Sequence, residues 1–150
     1  MTFAPRAIRV KSVGLFIHNG RVLTHDAVDR VKDQPFQLLM GGGVDFGEVS
    51  DAALRRELRE EIGAEIANLQ LLTVIENIYT FEGEAGHEIV FVYLASLADR
   101  AFYERERIPF IEPGRTEVAE WISLRRIASG DVIVYPSMDY KGVFQGLGLL

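Results

Sequence analysis

The chain contains no cysteine, which excludes disulfides, thiolate zinc sites and a cysteine nucleophile. It also contains no apolar run that approaches the ~20 residues of a membrane span. Residues 1–16 include no long apolar stretch, so a signal peptide is not expected. These absences predict a soluble, cytoplasmic protein. The lack of cysteine is also compatible with a reducing compartment.

Positive charge is not in excess either, because 16 lysines and arginines stand against 22 acidic residues and give a net charge of −6. Binding to the backbone of a long nucleic acid requires clustered basic residues, so that class of partner is not expected. A small phosphorylated ligand remains compatible with the charge, since a bound divalent metal inverts the local field.

The length of 150 residues predicts one domain, and it is sufficient to bury a sizeable core. The content of 48% hydrophobic and 25% charged residues is typical of globular proteins. No internal repeat, linker or low-complexity tract divides the chain.

The first part of the chain is rich in strand patterns. Residues 8–17 and 21–25 read as strands, and the Asn19-Gly20 pair between them predicts a tight hairpin. Residues 26–36 are predicted to be a polar loop. Residues 37–40 are predicted to be a short apolar strand that leads into three glycines.

The second part predicts further strands over residues 69–81, 87–97 and 117–124. A turn over residues 82–86 joins the first two, and residues 98–116 form a long polar connection. The tail after these strands reads as short helical pieces. Strands interrupted by helices favour a mixed sheet that is covered by helices.

One helix is predicted between the glycines and the second group of strands. Ser50 is the predicted N-cap and Asp51 lies in the first turn. The helix should end near Ile62, where Gly63 is a plausible left-handed stop. The residues spaced to form its core-facing stripe are Leu54, Leu58 and Ile62.

This helix carries an unusual concentration of negative charge, because Glu57, Glu60 and Glu61 fall on one face at 100° per residue. Like charges at such spacings repel by roughly 0.2–0.5 kcal/mol per pair. The face borders the apolar stripe, so partial burial adds a desolvation cost. Either water and the neighbouring arginines balance the charge, or a cation binds there.

The preceding glycines, residues 41–43, favour the cation. Glycine permits backbone conformations that are closed to other residues, and it lets a ligand approach closely. A backbone carbonyl in this segment, together with the carboxylates, offers the oxygen ligands that Mg²⁺ and Mn²⁺ prefer. A simple tight turn is the alternative interpretation of the glycines alone.

Together these residues resemble the Nudix hydrolase signature, G-x5-E-x7-R-E-U-x-E-E-x-G-U, in which U is a bulky aliphatic residue. The chain departs from it at Ala64, which is small, and it has Met40 where many relatives have proline. Every fixed position is filled at the correct spacing, by Gly42, Glu48, Arg56, Glu57, Leu58, Glu60, Glu61 and Gly63.

The resemblance implies an α/β fold, specifically an α/β/α sandwich with a mixed β-sheet, as a single domain over residues 1–150. It implies an enzyme that hydrolyses a pyrophosphate bond in a nucleoside diphosphate linked to another moiety, by attack of water at phosphorus. The implied cofactor is Mg²⁺ or Mn²⁺, and the implied partner is a small nucleotide. A homodimer is compatible with the resemblance, although no residue identifies an interface.

The resemblance also implies roles for individual residues. Arg56 and Glu48 are expected to pair and to brace the glycine loop against the helix. Glu57, or a glutamate elsewhere, is the implied general base. The residues expected to carry catalysis are Glu48, Arg56, Glu57, Glu60 and Glu61. The expected metal ligands are the carbonyl of Gly41 and the side chains of Glu57, Glu60, Glu61 and Glu117.

Glu117 is the candidate for a further carboxylate from a loop outside the signature, and its alternatives are Glu112, Glu120 and Glu88. His87 is interpreted as structural or substrate-facing, because hard cations prefer oxygen. Trp121 is predicted to lie in the core. The aromatic residues that either stack on a base or belong to the core are Phe36, Phe46, Tyr79 and Phe81.

Two other classes of function are compatible with a domain of this kind. One is a catalytically silent Nudix-like domain that binds a nucleotide as a sensor, although such domains typically lose signature carboxylates. The other is a calcium-binding or structural acidic domain, but the chain lacks the D-x-D-x-D-G loop pattern. The identity of the nucleotide derivative is not specified by the signature.

Overall fold

The computed structural model describes residues 6–150. These residues form eight strands and four helices, and none of the helices is both long and apolar enough to cross a membrane. The interpretation of residues 1–16 as lacking a signal peptide falls partly on residues 1–5, which lie outside the described residues. The strands are β1 Arg9–His18, β2 Arg21–Asp29, β3 Gln34–Gly43, β4 Ile66–Phe81, β5 Glu84–Leu97, β6 Arg107–Pro109, β7 Val118–Ser123 and β8 Val134–Tyr135. The helices are α1 Ser50–Ile62, α2 Ala101–Glu104, α3 Leu124–Ala128 and α4 Tyr140–Gly146.

The strands form one mixed sheet in the order β4-β5-β1-β3-β2-β7-β6, with β8 beside β3. The β1–β5 and β3–β8 pairs are parallel, and the other pairs are antiparallel. The mixed α/β fold that the sequence predicts is therefore confirmed.

Strand β3 divides the sheet into two leaves. Its Met40–Gly43 segment pairs with β1, whereas its Gln34–Leu39 segment pairs with β2. We call the β4-β5-β1 side the first leaf and the β2-β7-β6 side the second leaf. The three glycines lie at the end of β3, where the leaves separate and α1 crosses the sheet.

Apolar side chains from the sheet pack in two clusters. The first contains Leu54, Leu58 and Ile62 of α1, and also Trp121, as the sequence predicts. The second contains buried residues of α3 and α4 with the other side chains of β1 and β3. Helices thus contribute to a separate apolar cluster on each side, as in a three-layer sandwich.

The boundaries of α1 agree with the prediction at one end only. Gly63 is left-handed with φ 70° and ends the helix. The predicted cap at Ser50 is wrong, because the N-cap is Val49 and it makes no side-chain cap hydrogen bond. Ser50 begins the helix, and its hydroxyl shares a 2.6 Å hydrogen bond with the Tyr93 hydroxyl. A tertiary partner has therefore replaced the local cap.

The predicted loop over residues 26–36 is also wrong, because β2 continues to Asp29 and β3 begins at Gln34. Asp29 is buried and explains the short connection. Its carboxylate accepts the N–H groups of Val31 and Lys32 at 3.0 Å, so the chain turns at once. It also accepts the N–H of Glu82 at 3.0 Å, which joins this turn to the tip of the β4–β5 hairpin.

Two other connections are more ordered than predicted. The turn between β4 and β5 is Glu82-Gly83, rather than the five residues 82–86, because the pairing continues to Phe81 and Glu84. The long connection 98–116 contains α2 and β6.

Candidate active site

A cleft of about 1320 Å³ extends over both leaves of the sheet. The α1 carboxylates of Glu57 and Glu61 and the three glycines of β3 lie in its wall. The first leaf contributes side chains of β1, β4 and β5, and the second contributes β2 and the loop before β7. The signature residues therefore occupy the place where the leaves separate, with cleft on either side.

The glycines allow α1 to approach the strand. Gly41 has φ 138°, a conformation that favours glycine, and a Cβ there would overlap the carbonyl oxygen of Ser12. A Cβ on Gly42 would overlap the carboxylate of Glu57. The Gly41 N–H donates to Glu61 Oε1 at 3.1 Å. Glycine is thus required for the contact between the strand backbone and the helix carboxylates.

The carboxylates of Glu57 and Glu61 are largely buried. Glu61 is only 3% exposed, and burial, followed by the charge of Glu57, raises its pKa to about 8. The pKa of Glu57 is also raised, and burial is again the largest cause. A buried carboxylate that lacks sufficient positive charge is costly, so this pair is suited to a bound cation.

Arg56 connects the carboxylates of α1 to Glu48 and to the glycine loop. Its guanidinium donates to both carboxylate oxygens of Glu48 at 2.9 Å and to the Gly43 carbonyl at 2.8 Å. The ion pair predicted between Arg56 and Glu48 is therefore present. The bond from Arg56 is the largest cause that lowers the pKa of Glu48, to about 2. This bidentate contact joins the glycine loop to α1.

The third signature glutamate, Glu60, has a different environment. Its side chain is 60% exposed and lies 3.2 Å from Arg56 Nη1, the nitrogen that also binds Glu57 Oε1 at 3.0 Å. Within residues 6–150, no three acidic or histidine side chains form a group that is ready to hold a metal. One arginine nitrogen instead binds two of the four carboxylates that the resemblance assigns to a metal.

Glu117 reaches the cleft from the loop before β7. Arg115 Nε lies 3.3 Å from Glu117, and its Nη1 lies 3.3 Å from Glu112. The Arg115 guanidinium also lies over the Phe110 ring, 4.4 Å from its centroid. Glu117 and Arg115 line the cleft. Glu112 is not among the lining residues, so of these two glutamates only Glu117 is placed to meet a ligand in the cleft.

The other carboxylates proposed as alternatives are held by protein partners. Glu120 accepts from the Gln37 amide at 3.3 Å. Glu88 lies in the cleft, 2.9 Å from the Lys11 ammonium. His87 is half-buried on β5 and is not among the cleft-lining residues.

Of the four aromatic residues predicted either to stack on a base or to lie in the core, three line the cleft and one does not. Phe36, Tyr79 and Phe81 line the cleft, and the Phe36 and Phe81 rings meet edge-to-face at 6.0 Å. Phe46 is fully exposed and lies outside the cleft lining. The geometry therefore allows base stacking at three of the four positions.

Sequence reasoning missed several residues of the cleft. His25 is 8% exposed, and its ring packs against Phe110 at 5.2 Å. Lys11 and Arg9 project from β1, and Arg115 projects from a loop without periodicity. None of them belongs to a motif, and only the pairing of distant strands brings them to the α1 carboxylates.

Comparison with known proteins agrees with this geometry. The family model for the NUDIX domain matches residues 8–138. The MutT NUDIX hydrolase from Burkholderia pseudomallei is similar, with 25% identity and a TM-score of 0.61 over 92% of this chain and 95% of that one.

Two further structures share the fold at lower identity. The NUDIX hydrolase from Nitrosomonas europaea has 14% identity and a TM-score of 0.64 over 95% of this chain and 90% of that one. The ORF135 protein from E. coli has 20% identity and a TM-score of 0.57 over 95% and 92%. Because the family model spans residues 8–138, the chain belongs to the NUDIX domain family and is an enzyme of the Nudix pyrophosphohydrolase class.

Proposed function

We propose that the enzyme hydrolyses the pyrophosphate bond of a nucleoside diphosphate linked to another moiety, by attack of water at phosphorus, with Mg²⁺ or Mn²⁺ as cofactor. The observation that carries this proposal is the pair of desolvated carboxylates, Glu57 and Glu61, beside the glycine loop in the cleft. A pyrophosphate and these carboxylates are both anionic, so the substrate can approach only if positive charge lies between them.

The donor set fits a hard divalent cation, because it consists of oxygen atoms. When bound, such a cation neutralises phosphoryl charge and lowers the pKa of a coordinated water. Glu60 can join the set through Oε1, because its contact with Arg56, at 3.2 Å, uses Oε2. The residues proposed to hold the metal are the Gly41 carbonyl, Glu57, Glu60, Glu61 and Glu117.

Arg56 and Glu48 are proposed to position the site, and Glu57 is proposed to act as a base. Arg56 and Glu48 hold the glycine loop against α1, which fixes the carboxylates of the site. Glu57 is the proposed general base, because its carboxylate lines the cleft beside the glycine loop, where the attacking water would be bound.

A product screen tests this function. The protein is incubated with Mg²⁺ or Mn²⁺ and a panel of nucleotide sugars, nucleoside triphosphates, dinucleoside polyphosphates and capped RNA. Glu61→Gln keeps the size of the side chain and removes its charge, and we expect turnover to fall by at least about 100-fold. Glu104→Gln, at an exposed position on α2, is the matched control and should keep full turnover.

Full activity of Glu61→Gln would refute the assignment of this site. Saturable nucleotide binding by the wild type without release of any product would instead support the sensor interpretation. Thermal unfolding of both variants shows whether the loss of turnover reflects the site rather than the fold.

A further inference from the structure

Four polar side chains form a group on the first leaf, apart from the signature residues. We call Lys11, Asn77, Tyr79 and Glu88 the floor group, and all four line the cleft. Asn77 lies opposite Glu88 across the β4–β5 pair, and Tyr79 lies opposite Gly86. Because side chains alternate along a strand, Tyr79, Asn77 and Glu88 project from one face of the leaf.

Glu88 has an unusual environment within this group. It is 4% exposed, and its Oε2 lies 2.9 Å from Lys11 Nζ. This contact is ionic but lacks the angles of a hydrogen bond, and no donor among residues 6–150 makes a hydrogen bond of good geometry with Oε2. Buried polar atoms without a hydrogen bond are rare because they lose the bonds that water supplied. A ligand N–H or O–H in the cleft would supply the missing bond.

Tyr79 shows that the packing around Glu88 is specific. A Cβ on Gly86 would overlap the Tyr79 ring, so the absence of a side chain there lets the ring lie across β5. The pKa of Tyr79 is raised, first by burial and then by hydrogen bonding to Glu88 and by its charge. The tyrosine is thus part of the same polar group and not a separate core residue.

The floor group lies at a defined distance from the α1 carboxylates. Lys11 pairs with Gly43 of the glycine loop on one side and with Val90 of β5 on the other. Two strand spacings of ~4.8 Å separate β3 from β5, and Glu88 lies two residues along β5 from Val90, so its backbone is roughly 12 Å from Gly43. This separation is within reach of the group attached to a pyrophosphate that is bound at the carboxylates.

We propose that the floor group recognises the nucleoside of the substrate, with Glu88 accepting a hydrogen bond from a sugar hydroxyl or a base amine. The Lys11 ammonium, 2.9 Å from Glu88 Oε2, holds this carboxylate in place, and the Tyr79 hydroxyl and Asn77 amide orient the ligand around it. This inference rests on the proposed hydrolysis of a nucleoside diphosphate derivative, and it assigns part of that enzyme's specificity to residues outside the signature.

The test measures binding rather than turnover, with non-cleavable α,β-methylene diphosphates as probes. Calorimetric titrations in Mg²⁺ compare adenosine with its 2′-deoxy and 3′-deoxy forms, which lack one sugar hydroxyl. They also compare the adenosine probe with the purine riboside probe, and the guanosine probe with the inosine probe. In each of these pairs the second probe lacks one base amine. A donor that binds a charged acceptor should give the wild type a preference of roughly 10- to 100-fold in one of these pairs.

Glu88→Gln should reduce that preference at least about fivefold, because the acceptor loses its charge. Tyr79→Phe keeps the ring over Gly86 and should reduce the same preference by a smaller factor, which provides a second test if Glu88→Gln folds poorly. Glu84→Gln, exposed at the start of β5, is the matched control and should keep the preference of the wild type.

If the variants lose a preference between the probes with and without a sugar hydroxyl, the group that Glu88 binds is that hydroxyl. If they lose a preference between the probes with and without a base amine, the group is that amine. Equal binding within every pair by the wild type, or an undiminished preference in both variants, would overturn the inference. Probe binding that shows these preferences, without cleavage of any natural substrate, would contradict the proposed hydrolysis alone.

Discussion

Two pairs of glutamates in one site have opposite protonation behaviour. The pKa values of Glu57 and Glu61 are raised, because burial is the dominant influence on each. The pKa values of Glu48 and Glu117 are lowered, because an arginine hydrogen bond is the dominant influence on each. Identical side chains in one site thus have different affinities for a proton.

The difference is set by neighbours and not by spacing in the sequence. Glu60 and Glu61 are adjacent on α1, yet Glu60 is 60% exposed and bound to Arg56, whereas Glu61 is 3% exposed beside the Gly41 N–H. Burial makes a carboxylate without enough nearby positive charge costly, so the deeply buried Glu61 gains the most from a bound cation. The comparison therefore separates Glu48, whose charge Arg56 balances, from Glu61, for which burial is the dominant influence.

Of the three changes that test this comparison, replacing Arg56 should have the largest effect. Arg56→Lys loses the bidentate contact with Glu48, and we expect the urea concentration at the midpoint of unfolding to fall measurably, because lysine cannot reproduce the two-point contact. Turnover should fall roughly 10- to 100-fold, because the glycine loop loses its brace. Urea unfolding and steady-state rates measure the two effects.

Arg59→Lys is the matched control on the same helix. Arg59 also makes a bidentate contact, with Glu65, but both side chains are more than half exposed. We expect no measurable change in stability or turnover, because exposed ion pairs contribute little. Equal effects of the two substitutions would mean that the arginine contact with Glu48 is an ordinary surface pair.

The second prediction separates the two glutamates that share Arg115. Glu117→Gln should lower the affinity for Mn²⁺ by about 10-fold, because Glu117 lines the cleft and is a proposed ligand. Glu112→Gln should leave it unchanged, although Glu112 lies at the same 3.3 Å from Arg115. Metal titrations followed by calorimetry measure both variants. The same loss in each would show that Arg115, and not a metal, is the relevant partner.

The sequence predicted the part of the site that depends on local spacing. The end of α1 at Gly63 and the Leu54–Leu58–Ile62 stripe are present, because residues within one or two helical turns have fixed relative positions. The pairing of Arg56 with Glu48, which lies before the helix, was implied by the resemblance to the family signature, and it is present as well. The predicted cap failed at Ser50, where a contact with Tyr93 from a distant strand overrides the local preference.

The rest of the cleft depends on register between distant strands. Lys11, Asn77 and Glu88 meet only because β5 pairs with β4 on one edge and with β1 on the other. A shift of one residue in either pairing would turn one of these side chains to the opposite face. Alternation alone does not specify that register, so the floor group was not predictable as a unit.

His25 extends the comparison to a group that gains positive charge, and its effect should be the smallest. Burial, followed by the nearby charge of Arg115, lowers its pKa from 6.5 to about 4. The unfolded chain therefore takes up a proton near pH 6.5, whereas the folded protein keeps this imidazole neutral until about pH 4. Stability that is present above pH 6.5 is accordingly lost as the pH falls towards 4.

Between pH 7.5 and 5.5 this loss should amount to about 1 kcal/mol. His25→Gln does not titrate, so the difference in unfolding free energy between these two pH values should be smaller in the variant by that amount. Urea unfolding at both pH values measures it, and NMR of the His25 ring reports its protonation directly. The same pH dependence in both proteins would mean that the His25 ring is in contact with water. Burial would then not control the pKa of His25, as it controls the pKa of Glu61.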